Sequence, residues 1–309
     1  MGRLRLRLLL VALVAASMAF SGVAYASTAT DATSTHTIKV GTLTRSWVQI
    51  DLPSPVTDSA PIVVVLSGIK ATTSQEISRD GLVPYVSAGK AELIYPVSVG
   101  ESWNADGCCG LAAADNVNDV AFLQALVARV DPGHRRPVYL VGYSNGGRLA
   151  YRMACTDPAL FDALAVVKAM PEAGCVVSGP VTILQVDSTN DYAVPYQPGE
   201  VGEEQPAATV EVARLRAADR CTSAATDVTH GSLKLQTWSH CSDGSMVAFA
   251  TYQGGAHQWP EGTETTPSAA SVIWNFFSAS KTAASQRARS GVWCSADVRD
   301  FLAGRSSAV

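Results

Sequence analysis

Six residues, Val141-Gly142-Tyr143-Ser144-Asn145-Gly146, place a serine where its hydroxyl can attack a carbonyl. Before them runs Arg136-Pro137-Val138-Tyr139-Leu140, a short apolar and β-branched stretch that reads as a buried strand. After them, residues 147–154 read as a helix. Gly-x-Ser-x-Gly between a strand and a helix is a nucleophile elbow. The turn is so tight that a Cβ on either flank of the serine would clash, hence the glycines. The hydroxyl is thereby held clear of the backbone at a helix N-terminus, where N–H groups can stabilise an oxyanion. Such a serine needs a base, and the base needs an orienting acid.

In constellations built on this elbow the acid and then the histidine follow the serine along the chain. Only His230, His240 and His257 lie beyond Ser144. His257 sits in Gly254-Gly255-Ala256-His257-Gln258-Trp259-Pro260, directly after a strand expected over 246–253, in a loop at the C-terminal edge of a sheet. His240 is beside Cys241 and His230 is in an expected turn, so both read as solvated surface residues. For the acid, an apolar strand over 181–186 ends in Asp187-Ser188-Thr189-Asn190-Asp191. Both aspartates fall at the same sheet edge, and spacing does not separate them; one is expected only to cap turn amides. Asn145 would supply one oxyanion N–H. The second belongs on Leu66-Ser67-Gly68-Ile69, after an early strand, where Gly68 allows close approach and the Ile69 amide is the expected donor.

The elements that must carry these groups alternate. A hairpin is expected over 36–52, a strand over 61–66 apolar enough to be covered on both faces, a helix over 74–88, and a strand over 91–96. A helix over 116–130 precedes the elbow strand. Strands over 164–167 and 181–186, a helix over 207–220, strands over 233–239 and 246–253, and a helix over 268–278 complete the run. This order predicts a mostly parallel sheet with helices on both faces. Residues 197–204 read as a surface loop, and a short helix over 295–302 has no assigned role.

The chain start differs in kind. Arg3, Arg5 and Arg7, an apolar stretch over 8–20 and Ala24-Tyr25-Ala26 together predict a signal peptide over 1–26, hence a secreted protein. A flexible leader over 27–35, a catalytic domain over 36–280 and a tail over 281–309 follow. The apolar stretch is too short for a comfortable membrane span, and no second one appears. The formal charge is −4, and losing the basic leader makes the remainder more acidic by three charges. That argues against nucleic acid or anionic membrane as partner; the oligomeric state is not read from the sequence. All seven cysteines follow the leader, and none has Cys-x-x-Cys spacing, so disulfides rather than a metal are expected. Cys221 and Cys241 flank a modest loop and are expected to pair. Because vicinal cysteines close a strained ring, Cys108 and Cys109 are expected to pair with Cys155 and Cys175 in an undetermined order, leaving Cys294 over.

Four segments together resemble the secreted polyhydroxybutyrate depolymerases and the feruloyl and acetylxylan esterases of the carbohydrate esterase family 1 type: Ser102-Trp103-Asn104 with Cys108-Cys109-Gly110; residues 116–123; the elbow; and residues 254–260. The Trp-Asn…Cys-Cys-Gly stretch is far more specific than the elbow. The resemblance implies an α/β-hydrolase fold and a serine carboxylesterase that needs no cofactor and acts on a polymeric or small ester. It also matches Ser188-Thr189-Asn190-Asp191-Tyr192-Ala193-Val194-Pro195-Tyr196 to the acid segment, which selects Asp191. Trp103, Trp259, Tyr192 and Tyr196 cluster in the motif loops and are expected to line an acyl pocket. Two departures stand out: Ser67-Gly68 and Asp187-Ser188 replace the family's usual His-Gly pairs. A peptidase or thioesterase on the same fold, or a catalytically silent binding protein, are the rival readings.

Overall fold

The computed structural model describes residues 32–53, 59–200 and 205–290. The signal peptide, Cys294 and the short helix expected over 295–302 lie outside the described residues. Two antiparallel strands, β1 (Ala32–Val40) and β2 (Leu43–Asp51), turn at Gly41, whose φ of 60° suits glycine. β1 starts inside the stretch expected as a flexible leader: its backbone pairs with β2 throughout, so residues 32–35 are part of the sheet. β3 (Ile62–Leu66), β4 (Glu92–Pro96), β5 (Val138–Tyr143), β6 (Ala163–Val167), β7 (Ile183–Ser188) and β10 (Val247–Tyr252) are buried along their whole length. β8 (Thr226–His230) and β9 (Leu233–Trp238) form a hairpin at the far edge.

The ten strands make one sheet in the order β1-β2-β4-β3-β5-β6-β7-β10-β9-β8. The pairings from β4 to β10 are parallel, and antiparallel strands close both edges. The helices are α1 (Thr73–Arg79), α2 (Val83–Ser87), α3 (Gly110–Ala114), α4 (Asp119–Val130), α5 (Asn145–Thr156), α6 (Ala208–Ala218) and α7 (Ala269–Ser290). Strand side chains alternate between two cores. Val64, Leu66, Leu140 and Val166 pack with α4, α5 and α6. Val63, Val65, Val141 and Val167 face α2 and α7. This is the α/β-hydrolase fold that the alternation and the resemblance predict. No helix among the described residues is long and apolar enough to cross a membrane.

Four further differences from the expected elements and pairings follow. The helix expected over 74–88 is two, because Asp80 Oδ1 accepts from the Leu82 amide and Gly81 turns the chain at φ 68°. β8 escaped notice because it is a half-exposed edge strand without an apolar run. α7 continues to Ser290, into the stretch expected as a tail.

The fourth difference is in the disulfides. Cys221–Cys241 forms as expected. Cys155 pairs with Cys175, at a Cα–Cα distance of 5.6 Å, and Cys108 pairs with Cys109 across a cis peptide. The expectation that Cys108 and Cys109 reach Cys155 and Cys175 is therefore wrong. The end of α5 carries Cys155 directly to the loop after β6, which among the described cysteines leaves the adjacent pair each other. Removing the Cys155–Cys175 bridge, which closes a loop of 20 residues, is expected to lower stability by about 2–4 kcal/mol. Urea unfolding of the double Cys→Ser variant measures this, and peptide mapping of the unreduced protein should return Cys155 joined to Cys175.

Candidate active site

Five parallel strands deliver the site from their C-terminal ends. β5 runs into Ser144, which adopts φ 52°, ψ −118°, a conformation that costs about 1–3 kcal/mol outside glycine. Its neighbours hold it there. The Ser144 amide donates to Val167 O at 2.9 Å, and α5 starts at once, with Arg148 N–H donating to Ser144 O at 3.0 Å. A Cβ on Gly142 would lie 2.4 Å from Gly146 O, and one on Gly146 would lie 2.5 Å from Leu66 O. No side chain fits either place.

β10 leads to His257, and β7 to the loop holding Asp191. His257 Nε2 lies 2.9 Å from Ser144 Oγ, and Nδ1 lies 3.0 Å from each Asp191 carboxylate oxygen. With the proton on Nδ1, Nε2 is the acceptor for the serine O–H. Asp191 Oδ1 also accepts from the amides of Ala193 (2.8 Å) and Val194 (3.0 Å). Burial pushes the Asp191 carboxyl up, but the His257 hydrogen bond, the Ala193 amide and the His257 and Lys168 charges outweigh it, so it stays below the usual carboxylate range. The structure thus joins the three residues singled out in the sequence.

Loops from β3 and β4 complete the frame. Gly68 lies against Tyr143 so closely that a Cβ would come within 2.9 Å of the ring. Trp103 Nε1 donates to Ser67 O at 3.0 Å, and the Trp103 backbone exchanges two hydrogen bonds with the Asn145 side chain, at 2.7 and 3.0 Å. The flanking amide of Lys70 is engaged by Glu101 O. Asn104 N–H donates to Asp119, whose carboxylate pairs with Arg45 at 2.8 Å. The Ser102-Trp103-Asn104 segment is therefore a scaffold that sets the β3 loop against the start of α5.

Three of the four aromatics expected in an acyl pocket are elsewhere. Trp103 has 0% exposure, because its indole is consumed in bracing the β3 loop. Trp259 is buried edge-on against Tyr143. Tyr196 stacks on Phe249 and reaches Thr251. Only Tyr192, 68% exposed, stands at the site, its ring edge-on to His257 at 5.7 Å. Loop position alone did not tell a bracing aromatic from a free one. Among the described residues no group of three or more His, Cys, Asp or Glu could hold a metal ion.

No family model matches the chain. It is 31% identical over 235 residues to the protein named esterase NocK of Nocardia uniformis subsp. tsuyamanensis, spanning 67% of each chain. The chain belongs to the esterases. It is a serine hydrolase acting on ester bonds, which decides against a silent binding protein. The esterase is also 26% identical over 216 residues to the protein named feruloyl esterase C of Aspergillus niger, covering 66% of this chain and 72% of that one. In fold it resembles the acetyl xylan esterase from Aspergillus awamori, with a TM-score of 0.50 at 12% identity over 73% of this chain and 94% of that one.

Behind the site the esterase buries charge that the sequence reading passed over or left ambiguous. Asp187, on β7, is not beside His257. Its Oδ2 accepts from Gln185 Nε2 at 2.7 Å, Gln185 in turn accepts from Tyr151 at 2.6 Å, and Oδ1 has no hydrogen-bond partner. Burial pushes its carboxyl up to about 7, opposed by Gln185 and Lys168 and reinforced by Asp191. Lys168, which follows β6, was not singled out because nothing near it in sequence is chemical. The signal available was a lysine ending an apolar strand.

A carboxyl raised in the folded state above its unfolded value favours folding at low pH, and the advantage is lost as pH rises through the folded value. For Asp187 that window runs from about pH 4 to about pH 7. Asp187→Asn keeps an acceptor for Gln185 and removes the buried charge. It is expected to gain on wild type by on the order of 2–4 kcal/mol between pH 5 and pH 8. Urea unfolding at the two pH values measures this; parallel curves would show that Asp187 does not titrate in this range.

Proposed function

We propose that the protein is a secreted carboxylesterase in which Ser144, His257 and Asp191 form the catalytic triad. The observation that carries this reading is the unbroken line from Ser144 Oγ through the His257 ring to Asp191, with links of 2.9 and 3.0 Å. In the reaction, Oγ attacks the ester carbonyl carbon while His257 Nε2 takes its proton. Asp191 fixes the Nδ1–H tautomer and stabilises the imidazolium. The amides of Ile69 and Asn145 are the donors for the carbonyl oxygen as it becomes an oxyanion. Collapse breaks the bond to the alkoxy oxygen, which leaves as the alcohol with the proton from His257. Water then attacks the acyl-serine, gives its proton to Nε2, and the carboxylic acid departs as Ser144 regains its hydrogen.

The substrate class in this reading is an acylated carbohydrate or a polyester of the feruloyl, acetyl or hydroxybutyryl kind. The four sequence segments and the likeness to the Aspergillus niger protein support it. Exposed Tyr192 beside His257 offers a face to a planar acyl group. Export after removal of residues 1–26 is supported by the basic-apolar-small pattern and by three disulfides among the described residues. The catalytic domain then starts at β1 and ends on α7.

Ser144→Ala is expected to lower kcat for a short aryl ester by about 10⁴-fold or more, with an unchanged melting temperature, since alanine removes only the nucleophile. Asp191→Asn is expected to lower kcat by about 10³–10⁴-fold, whereas Asp187→Asn stays within a few-fold of wild type. Steady-state kinetics on the purified secreted chain checks both, and the reverse ranking would make Asp187 the acid. Hydrolysis of a short aryl ester but of none of the feruloyl, acetyl or 3-hydroxybutyryl esters of sugars or oligomers would remove the proposed substrate class while leaving the triad.

A further inference from the structure

Lysine is rarely buried without a task, because its ammonium loses strong hydration. Lys168 is 1% exposed and lies where β6 ends, at φ 51°. Its own amide donates to Val186 O at 2.8 Å, which pins the residue to β7. The side chain then spends its donors on three neighbouring segments. Nζ donates to Ser188 Oγ at the end of β7, to Ala256 O in the loop after β10, and to Asp191 Oδ2 at 3.4 Å. Ala256 directly precedes His257. One buried cation therefore binds both the proposed acid and the peptide that carries the proposed base.

Packing alone does not ask for this. A methionine would fill the same volume without desolvating a charge. Nor does Asp191 lack partners, since it already accepts from His257 and two backbone amides. The loops after β7 and β10 are already joined by the His257–Asp191 contact, by the Thr189 amide donating to Tyr252 O and by the Gly254 amide donating to Thr189 Oγ1. What Lys168 adds is a buried cation that ties the carbonyl directly before His257 to Asp191 and places a positive charge behind their pair.

We propose that Lys168 is a positioning residue for ester cleavage, its ammonium clamping the Ala256 carbonyl to the Asp191 carboxylate so that His257 stays in line with Ser144. This rests on the triad reading above. The charge has a separate consequence. A cation beside the Asp191–His257 pair opposes protonation of the pair, so its removal makes protonation easier and moves the acid side of the pH profile upward. The other groups facing the pair stay in place. Tyr143, on β5, donates to His257 O and stacks on the ring; Tyr192 meets the ring edge-on; Arg79, from α1 and paired with Glu76, covers Tyr143; Asp187, from β7, faces Lys168.

The test is the pH dependence of kcat and kcat/KM for a short aryl ester with Lys168→Met, alongside its melting curve. The expected result is a kcat about 10²-fold lower, KM within about two-fold, and an acid limb about one pH unit higher. A folded Lys168→Met with wild-type kcat and an unmoved limb overturns the proposal. So does a lowered kcat with an unmoved limb, which is the mark of a purely structural loss. If Lys168→Met does not fold, Ser188→Ala decides. It removes one anchor and keeps the charge, so kcat should fall about three- to ten-fold with the limb in place, and wild-type kcat overturns the clamp. Ser144→Ala is the control for the underlying reading: activity surviving that substitution fails the triad, whereas activity lost there but intact in Lys168→Met fails only the clamp.

Discussion

The turn between β5 and α5 is the constraint on which the rest depends. Ser144 holds an unfavourable backbone conformation, and it does so because three backbones meet there with no room for side chains. Gly146 lies against the carbonyls of Leu66 and Ser67, so the end of β3 and the start of α5 are set against each other at van der Waals distance. That approach fixes where the β3 loop can place its amides, and it fixes the serine relative to them. The indole of Trp103 and the amide side chain of Asn145 lock the same junction from the β4 side. A few kcal/mol of local strain is thus sustained by a sheet whose central strands are wholly buried.

The parallel sheet explains why residues so distant in sequence converge. Each of β3, β5, β6, β7 and β10 points the same way, and each contributes at its C-terminal end: an amide loop, the serine, Lys168, the acid loop and the histidine loop. The two aspartates of β7 and its loop show how position divides one residue type into two roles. Asp187 points into the sheet interior, where burial raises its carboxyl to about 7. Asp191, four residues on, meets two amides, the imidazole and the buried ammonium, and is held ionised.

Much of this was legible in the sequence, and the exceptions follow a pattern. The alternating strands and helices, the elbow, His257 and the Cys221–Cys241 bridge were readable because each depends on short-range pattern or on order along the chain. Asp187 and Asp191 were not separable by spacing; the match of residues 188–196 to a family segment made the choice. Lys168 carried no motif, and its role exists only once β6, β7 and β10 lie side by side. Trp103 and Trp259 were misplaced because an aromatic in a motif loop has the same sequence whether it faces substrate or braces the loop. The cysteine pairing failed for a related reason: the approach of Cys155 to Cys175 is set by the length of α5 and the path after β6, not by their separation along the chain. The split of the helix over 74–88 turned on Asp80, whose side chain caps Leu82.

The central claim is that Ser144 is activated by His257 within this geometry. It is tested most directly by treating the folded, purified chain with a fluorophosphonate and locating the adduct by peptide mass spectrometry. The account predicts one phosphonyl group per chain, on Ser144, with labelling slowed by orders of magnitude in His257→Ala although the serine is intact. An adduct on any other residue, or equal labelling of Ser144 with and without His257, would contradict it.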